Sequence, residues 1–247
     1  MADPGIIVLV AATFLLAGMV KGVIGLGLPT VTLGLLTAAL DLPTAMALLI
    51  VPSFVTNAYQ ASVGGHGREI VARLWPFLLM ATVTVFLGAS ALTRADPALL
   101  SGLLGFLLVA YAAVNLAGVR VVIPVAHERW AGPAFGIANG ILTGMTGSFV
   151  VPGVMFLQAI GLSRDALIQA MGMLFTVSTV ALALALQSNS LFTGEQGIAS
   201  TLALAPALAG LAAGQAVRKR LSEARFRKVF FLGILVLGGY IAATALA

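Results

Sequence analysis

Two glycine-rich segments have residue types and spacing that could bind an anion. Residues 22–30 read Gly-Val-Ile-Gly-Leu-Gly-Leu-Pro-Thr, and residues 144–152 read Gly-Met-Thr-Gly-Ser-Phe-Val-Val-Pro. Glycine and proline interrupt helices, and each segment precedes a short apolar run that we expect to restart as a helix. The first amides of a helix are unpaired and its dipole is positive at that end. The two segments therefore predict an anion site made of backbone N–H groups.

Polar side chains close to these segments could add hydrogen bonds to the same anion. Lys21 is the only basic residue inside an apolar region. Such a lysine either attracts or binds the anion or extends its ammonium group to the outer interface, and the sequence leaves both open. Gln60, Gln158 and Gln169 are more typical of hydrogen bonds between helices. The candidate substrate-binding residues are Lys21, Gly22, Gly25, Gly27, Thr30, Asn57, Asn139, Thr143, Gly144, Thr146, Gly147 and Ser148.

The remaining chemistry-bearing residues do not form a catalytic pattern. The chain has no cysteine, its two histidines lie in predicted loops, and its eight acids lie at or near the ends of apolar segments. We therefore expect no catalytic residues, no metal site, no cofactor and no enzymatic activity. The lack of a carboxylate in the middle of a span also leaves no obvious proton relay.

The composition indicates a membrane protein. Hydrophobic residues make up 60% of the 247 residues and charged residues only 9%, whereas an ordinary soluble domain has about 25% charged residues. The net charge of +5 comes from basic residues between apolar runs. Such residues determine topology, so lipid is the expected partner and nucleic acid is not.

Six charge-free stretches are long enough to cross the bilayer, which takes about 20 residues. They are residues 42–60, 74–93, 97–117, 166–187, 196–217 and 229–247. Two further apolar regions, 5–40 and 131–161, are broken by glycine and proline. Their second arms, 29–40 and 150–161, have 12 residues each. At 1.5 Å per residue, such an arm is roughly 18 Å long and too short to cross alone.

The basic residues decide whether the broken regions are crossings or re-entrant hairpins. If both are crossings, the basic residues outside Lys21 divide 4 to 8 between the two sides, and if both are hairpins they divide 11 to 1. Because cytoplasmic loops are enriched in lysine and arginine, we expect two hairpins, cytoplasmic basic loops and both termini outside.

The two broken regions also resemble each other. Gly18, Gly22 and Gly25 precede Gly140, Gly144 and Gly147 by a constant 122 residues, and a proline follows in each case. We predict an all-α membrane protein of two inverted repeats, each a re-entrant hairpin followed by three transmembrane helices. Repeat 1 covers residues 1–120 with hairpin 5–40, and repeat 2 covers 131–247 with hairpin 131–161. Transporters built in this way bind substrate near the midplane, where the repeats meet.

The run Lys-Gly-Val-Ile-Gly-Leu-Gly-Leu-Pro, its Gly-x-x-Gly-x-x-x-x-Pro echo and the apolar spans between them resemble the sulfite exporter TauE/SafE family. The second motif departs from the first at Phe149, where the first has Gly27. The resemblance covers nearly the whole chain. It implies outward transport of sulfite, sulfoacetate or a related sulfur-containing anion across a bacterial inner membrane.

Three functions are compatible with these features. The first is an anion exporter that works by alternating access, and the second is a channel-like facilitator. The third, a membrane scaffold without transport activity, is disfavoured because the longest loops have only about a dozen residues. The oligomeric state is not fixed by the sequence, which is compatible with a homodimer.

Overall fold

The fold was analysed in a computed structural model that describes residues 3–119, 121–218, 220 and 222–246. Every regular element in these residues is helical. The helices are α1 (Pro4–Ile24), α2 (Leu28–Ala39), α3 (Leu42–Ser62), α4 (Gly67–Val83), α5 (Val85–Ala89), α6 (Pro97–Leu116), α7 (Val125–Thr146), α8 (Gly153–Ala159), α9 (Arg164–Ser188), α10 (Gly194–Arg218) and α11 (Glu223–Leu246).

Among the described residues, seven helical segments are long and apolar enough to cross a membrane. They are Pro4–Ile24, Leu42–Ser62, Gly67–Thr93, Pro97–Leu116, Arg164–Ser188, Gly194–Arg218 and Ala224–Leu246. Six of them overlap the predicted spans, but two begin well before the predicted start, at Gly67 instead of residue 74 and at Ala224 instead of residue 229. Ala247, at the end of the last predicted span, lies outside the described residues. The seventh is α1, the first arm of the predicted hairpin 5–40. The prediction of an all-helical membrane protein is confirmed.

The breaks are narrower than the glycine-rich segments. Helix α1 continues to Ile24 and α2 already begins at Leu28, so only residues 25–27 are non-helical. We call them break 1. Helix α7 likewise continues to Thr146, and α8 begins at Gly153, which leaves residues 147–152 as break 2. The helix after break 2 has 7 residues instead of a 12-residue arm, because the backbone stays irregular up to Pro152.

The chain divides into two compact units. Unit 1 contains Met1–Pro52, Asp96–Gly118 and Thr193–Ala247, and unit 2 contains Ser53–Ala95 and Val119–Phe192. Each unit takes segments from both predicted repeats and contains one break. The predicted repeats therefore do not correspond to the compact units. The duplication of the chain that they describe stays a prediction.

In unit 1, helix α6 lies antiparallel to α11 at glycine contacts. Gly102 faces Ala245, and Gly105 faces Gly238 and Ala242. Two spans are antiparallel only if an odd number of crossings leads from one to the other. With region 131–161 as a full crossing, α11 would be the fourth crossing after α6 and parallel to it. The observed direction is the one expected if this region is a hairpin.

The direction of the chain in unit 1 also reverses at break 1. Helix α1 runs parallel to α10, since Leu15 and Met19 lie against Gly210 and Gly214 in the same order. Helix α2 instead runs parallel to α11: Gly34 faces Leu237, and Thr37 shares a cavity with Tyr240. Because α10 and α11 are successive spans and run in opposite directions, α1 and α2 do so too.

In unit 2, helix α7 runs parallel to α4 and α5, and α8 returns along α7. Gly136 lies against Phe77, and Gly144 lies against Val85 and Ala89. At the other end, the N–H group of Ile123, two residues before α7, donates to the carbonyl of Ala159 at the end of α8 (2.9 Å). The two ends of this region therefore lie together.

Candidate functional site

Both first arms end in the same backbone geometry. Gly25 has a φ of 78° and its N–H donates to the Lys21 carbonyl at 2.8 Å, while Gly147 has a φ of 71° and its N–H donates to the Thr143 carbonyl at 2.7 Å. A positive φ favours glycine because a Cβ crowds the following carbonyl. The 122-residue offset thus pairs Gly25 with Gly147 and Lys21 with Thr143.

The glycines one turn earlier pack helices together. A Cβ on Gly22 would overlap the Leu211 carbonyl of α10, and a Cβ on Gly144 would overlap the Val85 carbonyl of α5. Small residues allow helix backbones to approach this closely. The structure therefore places these two predicted binding residues at helix–helix contacts, outside the breaks.

Break 1 leads into α2 through Gly27, the N-cap residue, which has a φ of 108°. Within the described residues, no side chain caps this N-terminus. Thr30 lies in the first turn and is 2% exposed, and its hydroxyl has no hydrogen-bond partner among the described residues. Elsewhere in the chain, the threonine hydroxyls of Thr82, Thr84, Thr146, Thr176, Thr179, Thr201 and Thr244 donate to the carbonyl four residues earlier.

Lys21 lies in the last turn of α1 and is only 4% exposed. A lysine that extends its ammonium group to the interface would leave that group accessible. The burial of the side chain does not fit that role. A basic residue in the last turn also complements the negative end of the helix dipole.

Break 2 is held by two threonine hydroxyls in the last turn of α7. The Thr143 hydroxyl donates to the Ser148 carbonyl (3.0 Å), and the Thr146 hydroxyl donates to the Leu142 carbonyl (2.7 Å) while it accepts from the Ser148 N–H (3.3 Å). The hydroxyl protons of both predicted threonines are thus used inside the protein. To reach an anion, either hydroxyl would first have to rotate.

Asn139 joins α7 to the start of α8. Its Oδ1 accepts from the Gly153 N–H at 2.9 Å, and the side chain is fully buried. The amide orientation follows from this bond, because only the oxygen can accept from an N–H group. Its Nδ2 therefore points elsewhere, and it has no partner among the described residues.

Asn57 lies in unit 2 on α3, where its Nδ2 donates to the Ser53 hydroxyl (2.9 Å), which in turn lies 3.4 Å from the Thr179 hydroxyl of α9. Gln60 and Gln169 bind the backbone of each other's helix, at the carbonyls of Ile168 and Ala61. The two glutamines thus make the interhelical hydrogen bonds that were the alternative to ligand contacts.

Sequence reasoning missed two features. Arg73 was counted only among the basic residues that determine topology, and Glu128 only among the acids at the ends of apolar segments, but the two form an ion pair. Opposite charges at the ends of two apolar segments were the available signal. The second feature is a set of buried hydroxyls that lack partners among the described residues: Thr32, Thr37, Tyr111 and Ser178. The three threonines within α2 were visible in the sequence, but their unpaired state was not.

The comparisons with known proteins agree with the glycine motifs. The family model described as "Sulfite exporter TauE/SafE" matches residues 10–241, which is nearly the whole chain. No curated protein and no solved structure matches the chain. The family model matches the chain almost from end to end, and the described residues contain seven candidate spans. The chain therefore belongs to the sulfite exporter TauE/SafE family.

Proposed function

We propose that this protein is a secondary transporter that exports sulfite or an organosulfonate such as sulfoacetate by alternating access. Membership of the family supports transport of a sulfur-containing anion. The sulfur oxygens of these substrates accept hydrogen bonds and carry negative charge, so the protein has to supply donors and positive potential.

The unpaired Asn139 amide is the observation that carries this proposal. A buried donor without a partner costs about 1–3 kcal/mol, and an acceptor from outside the protein chain would remove this cost. In unit 2 this donor lies at the start of α8, beside break 2. An oxyanion oxygen is a suitable acceptor.

Break 1 offers a second set of donors, in unit 1. Helix α2 is 12 residues long, its N-terminus carries the positive end of the dipole, and Thr30 adds a buried hydroxyl. Lys21, one turn before Gly25, adds positive charge. We therefore assign anion binding to the breaks and to Lys21, Thr30 and Asn139, with Gly25, Gly27 and Gly147 shaping the backbone.

Two other functions remain distinct from this proposal. A channel-like facilitator would pass the anion without exchange, and a scaffold would not pass it at all. Counterflow in proteoliposomes separates the three, because only a carrier accumulates labelled sulfite against unlabelled sulfite on the other side. We expect counterflow with sulfite and with at least one sulfonate, and its reduction in Asn139→Leu. Passive leak without counterflow, or no flux, would contradict the proposal.

We also propose that the protein resides in a bacterial inner membrane with both termini in the periplasm. The division of 11 basic residues to 1 supports this orientation. Arg120 and Lys219, two of these residues, lie outside the described residues. The cysteine-free chain permits a clean test by Ala243→Cys, which should react with an impermeant thiol reagent from the periplasm. Reaction only from the cytoplasm would reverse the orientation.

A further inference from the structure

Arg73 binds Glu128 through two parallel hydrogen bonds in unit 2. Its Nε lies 2.8 Å from one carboxylate oxygen of Glu128, and its Nη2 lies 2.6 Å from the other. The Glu128 side chain is only 9% exposed, and that of Arg73 is 30% exposed. A bidentate pair of this kind is stronger and more specific in geometry than a single ionic contact. It joins the second turn of α4 to the first turn of α7.

The same guanidinium group also binds the end of α8. Its Nη2 donates to the carbonyl of Ile160, the C-cap residue of α8, at 2.9 Å. Carbonyls at a helix C-terminus carry the negative end of the dipole and suit a cation. The neighbouring Ala159 carbonyl accepts from Ile123. Arg73 thus connects three elements: α4, the start of α7 and the end of α8.

Helix α8 depends on such tethers. It has 7 residues, whereas isolated helices shorter than about 12–15 residues are marginal in water. Asn139 holds its first residue and Arg73 holds its C-cap. Between them, Phe156 stacks against Phe135 and lies at a tilt against Phe77, beside a cavity of about 240 Å³ that Arg73 and Glu128 also line. This space would let Phe156 and α8 shift if the tether at Ile160 were lost.

We propose that Arg73 is a positioning residue for break 2. By holding the C-terminal end of α8 in place, it keeps residues 147–152 and the Asn139 amide in the geometry that receives the anion. The role in anion binding rests on the proposed function. The control of the position of α8 does not.

A local accessibility measurement tests this role. Val151→Cys in break 2 and Leu26→Cys in break 1 place half-buried thiols in the two breaks. We expect Arg73→Ala to raise the rate of maleimide labelling at position 151 about tenfold, because it removes a charge-assisted hydrogen bond that holds the end of α8. The labelling rate at position 26 should change by no more than about twofold. Arg73→Lys keeps the positive charge but loses the planar guanidinium group that makes two parallel hydrogen bonds, so its effect on the labelling rate should be intermediate. Arg68→Ala, which removes an exposed arginine five residues earlier, is the matched control and should change neither rate.

The outcomes are separable. Equal acceleration at both positions would show general loosening, and unchanged rates at both would show that α8 is held without Arg73. Either result overturns the proposal, and Arg73→Lys supplies the same readout if Arg73→Ala does not fold. Sulfite affinity of the same variants should fall in parallel with the change at position 151. If the unsubstituted protein does not bind sulfite, the proposed function fails, while the labelling result still decides the role of Arg73.

Discussion

Break 1 in unit 1 spans three residues and leads into a helix of 12 residues, whereas break 2 in unit 2 spans six residues and leads into a helix of 7. Both begin with a left-handed glycine that closes the preceding helix. After this glycine, the longer break uses the Thr143 and Thr146 hydroxyls to bind its own backbone. The shorter break leaves the Thr30 hydroxyl without a partner among the described residues.

The difference follows from the need to pair buried backbone groups. Irregular backbone has polar groups that no helix satisfies, and a longer break has more of them. Break 2 meets this need with side chains and keeps one amide donor, that of Asn139. Break 1 has fewer such groups and leaves the Thr30 hydroxyl without a partner among the described residues, at the N-terminus of a longer helix. Two similar glycine motifs thus produce two different sets of donors.

The largest expected effect tests what the two regions share. Gly22→Val and Gly144→Val would each force a side chain into the backbone of a neighbouring helix. We expect each to lower the free energy of unfolding by about 3 kcal/mol or more, at or beyond the upper end for overpacking. Gly233→Val on α11 is the matched control, because its Cβ would meet no described atom within 4 Å. Thermal unfolding in detergent measures all three. A loss of stability in only one of Gly22→Val and Gly144→Val would show that the two regions are not structurally equivalent.

A smaller effect should distinguish the two breaks. Thr143→Val removes the hydrogen bond to the Ser148 carbonyl and should cost about 0.5–1.5 kcal/mol of stability. Thr30→Val removes a hydroxyl that has no partner among the described residues and should cost no stability. It should weaken sulfite binding by about 1.5–3 kcal/mol, the range for one hydrogen bond to a charged partner. Unfolding and calorimetric titration on the same two variants provide the comparison. The opposite pattern would mean that the roles of the two hydroxyls are exchanged.

The smallest effect concerns Lys21, which lies 122 residues before Thr143 and so corresponds to it when the two glycine motifs are aligned. Lys21→Gln should lower sulfite affinity several-fold at both low and high ionic strength, because a charge that is only 4% exposed is screened by salt much less than a surface charge. Arg68→Gln, a change of the same charge in an exposed residue, should have no such effect. Titrations at two salt concentrations measure the dependence. Unchanged sulfite affinity in Lys21→Gln at both salt concentrations would remove Lys21 from the path of the anion.

The sequence predicted the elements well because the bilayer imposes a length on them. Charge-free stretches of about 20 residues mark spans with little ambiguity, and α3, α6 and α9 begin and end within two residues of the expected positions. Glycine spacing also located both breaks. It could not give their length, since whether Gly22 and Gly144 pack in a helix or open it depends on neighbours far along the chain, such as Leu211 and Val85.

The candidate site was predictable by residue type but not by role. Asn139 was selected by its position one turn before Gly144. Which of its side-chain atoms is used inside the protein, however, depends on where the Gly153 amide lies, because that amide donates to Oδ1. The Arg73–Glu128 pair was not predicted, because its members are 55 residues apart. Pairing across that distance depends on how α4 and α7 pack, which charge and spacing alone do not encode.

The proposal that each break binds an anion at its left-handed glycine is tested most directly by one comparison of alanine variants. Gly25 and Gly65 both have a φ of 78°, and a Cβ on either would meet no described atom within 4 Å, so alanine should cost both the same strain of about 1–2 kcal/mol. We predict that sulfite affinity, measured by calorimetry on folded protein, falls at least tenfold in Gly25→Ala and Gly147→Ala and stays unchanged in Gly65→Ala. Unchanged affinity in both break variants, or an equal loss in all three, would contradict the account.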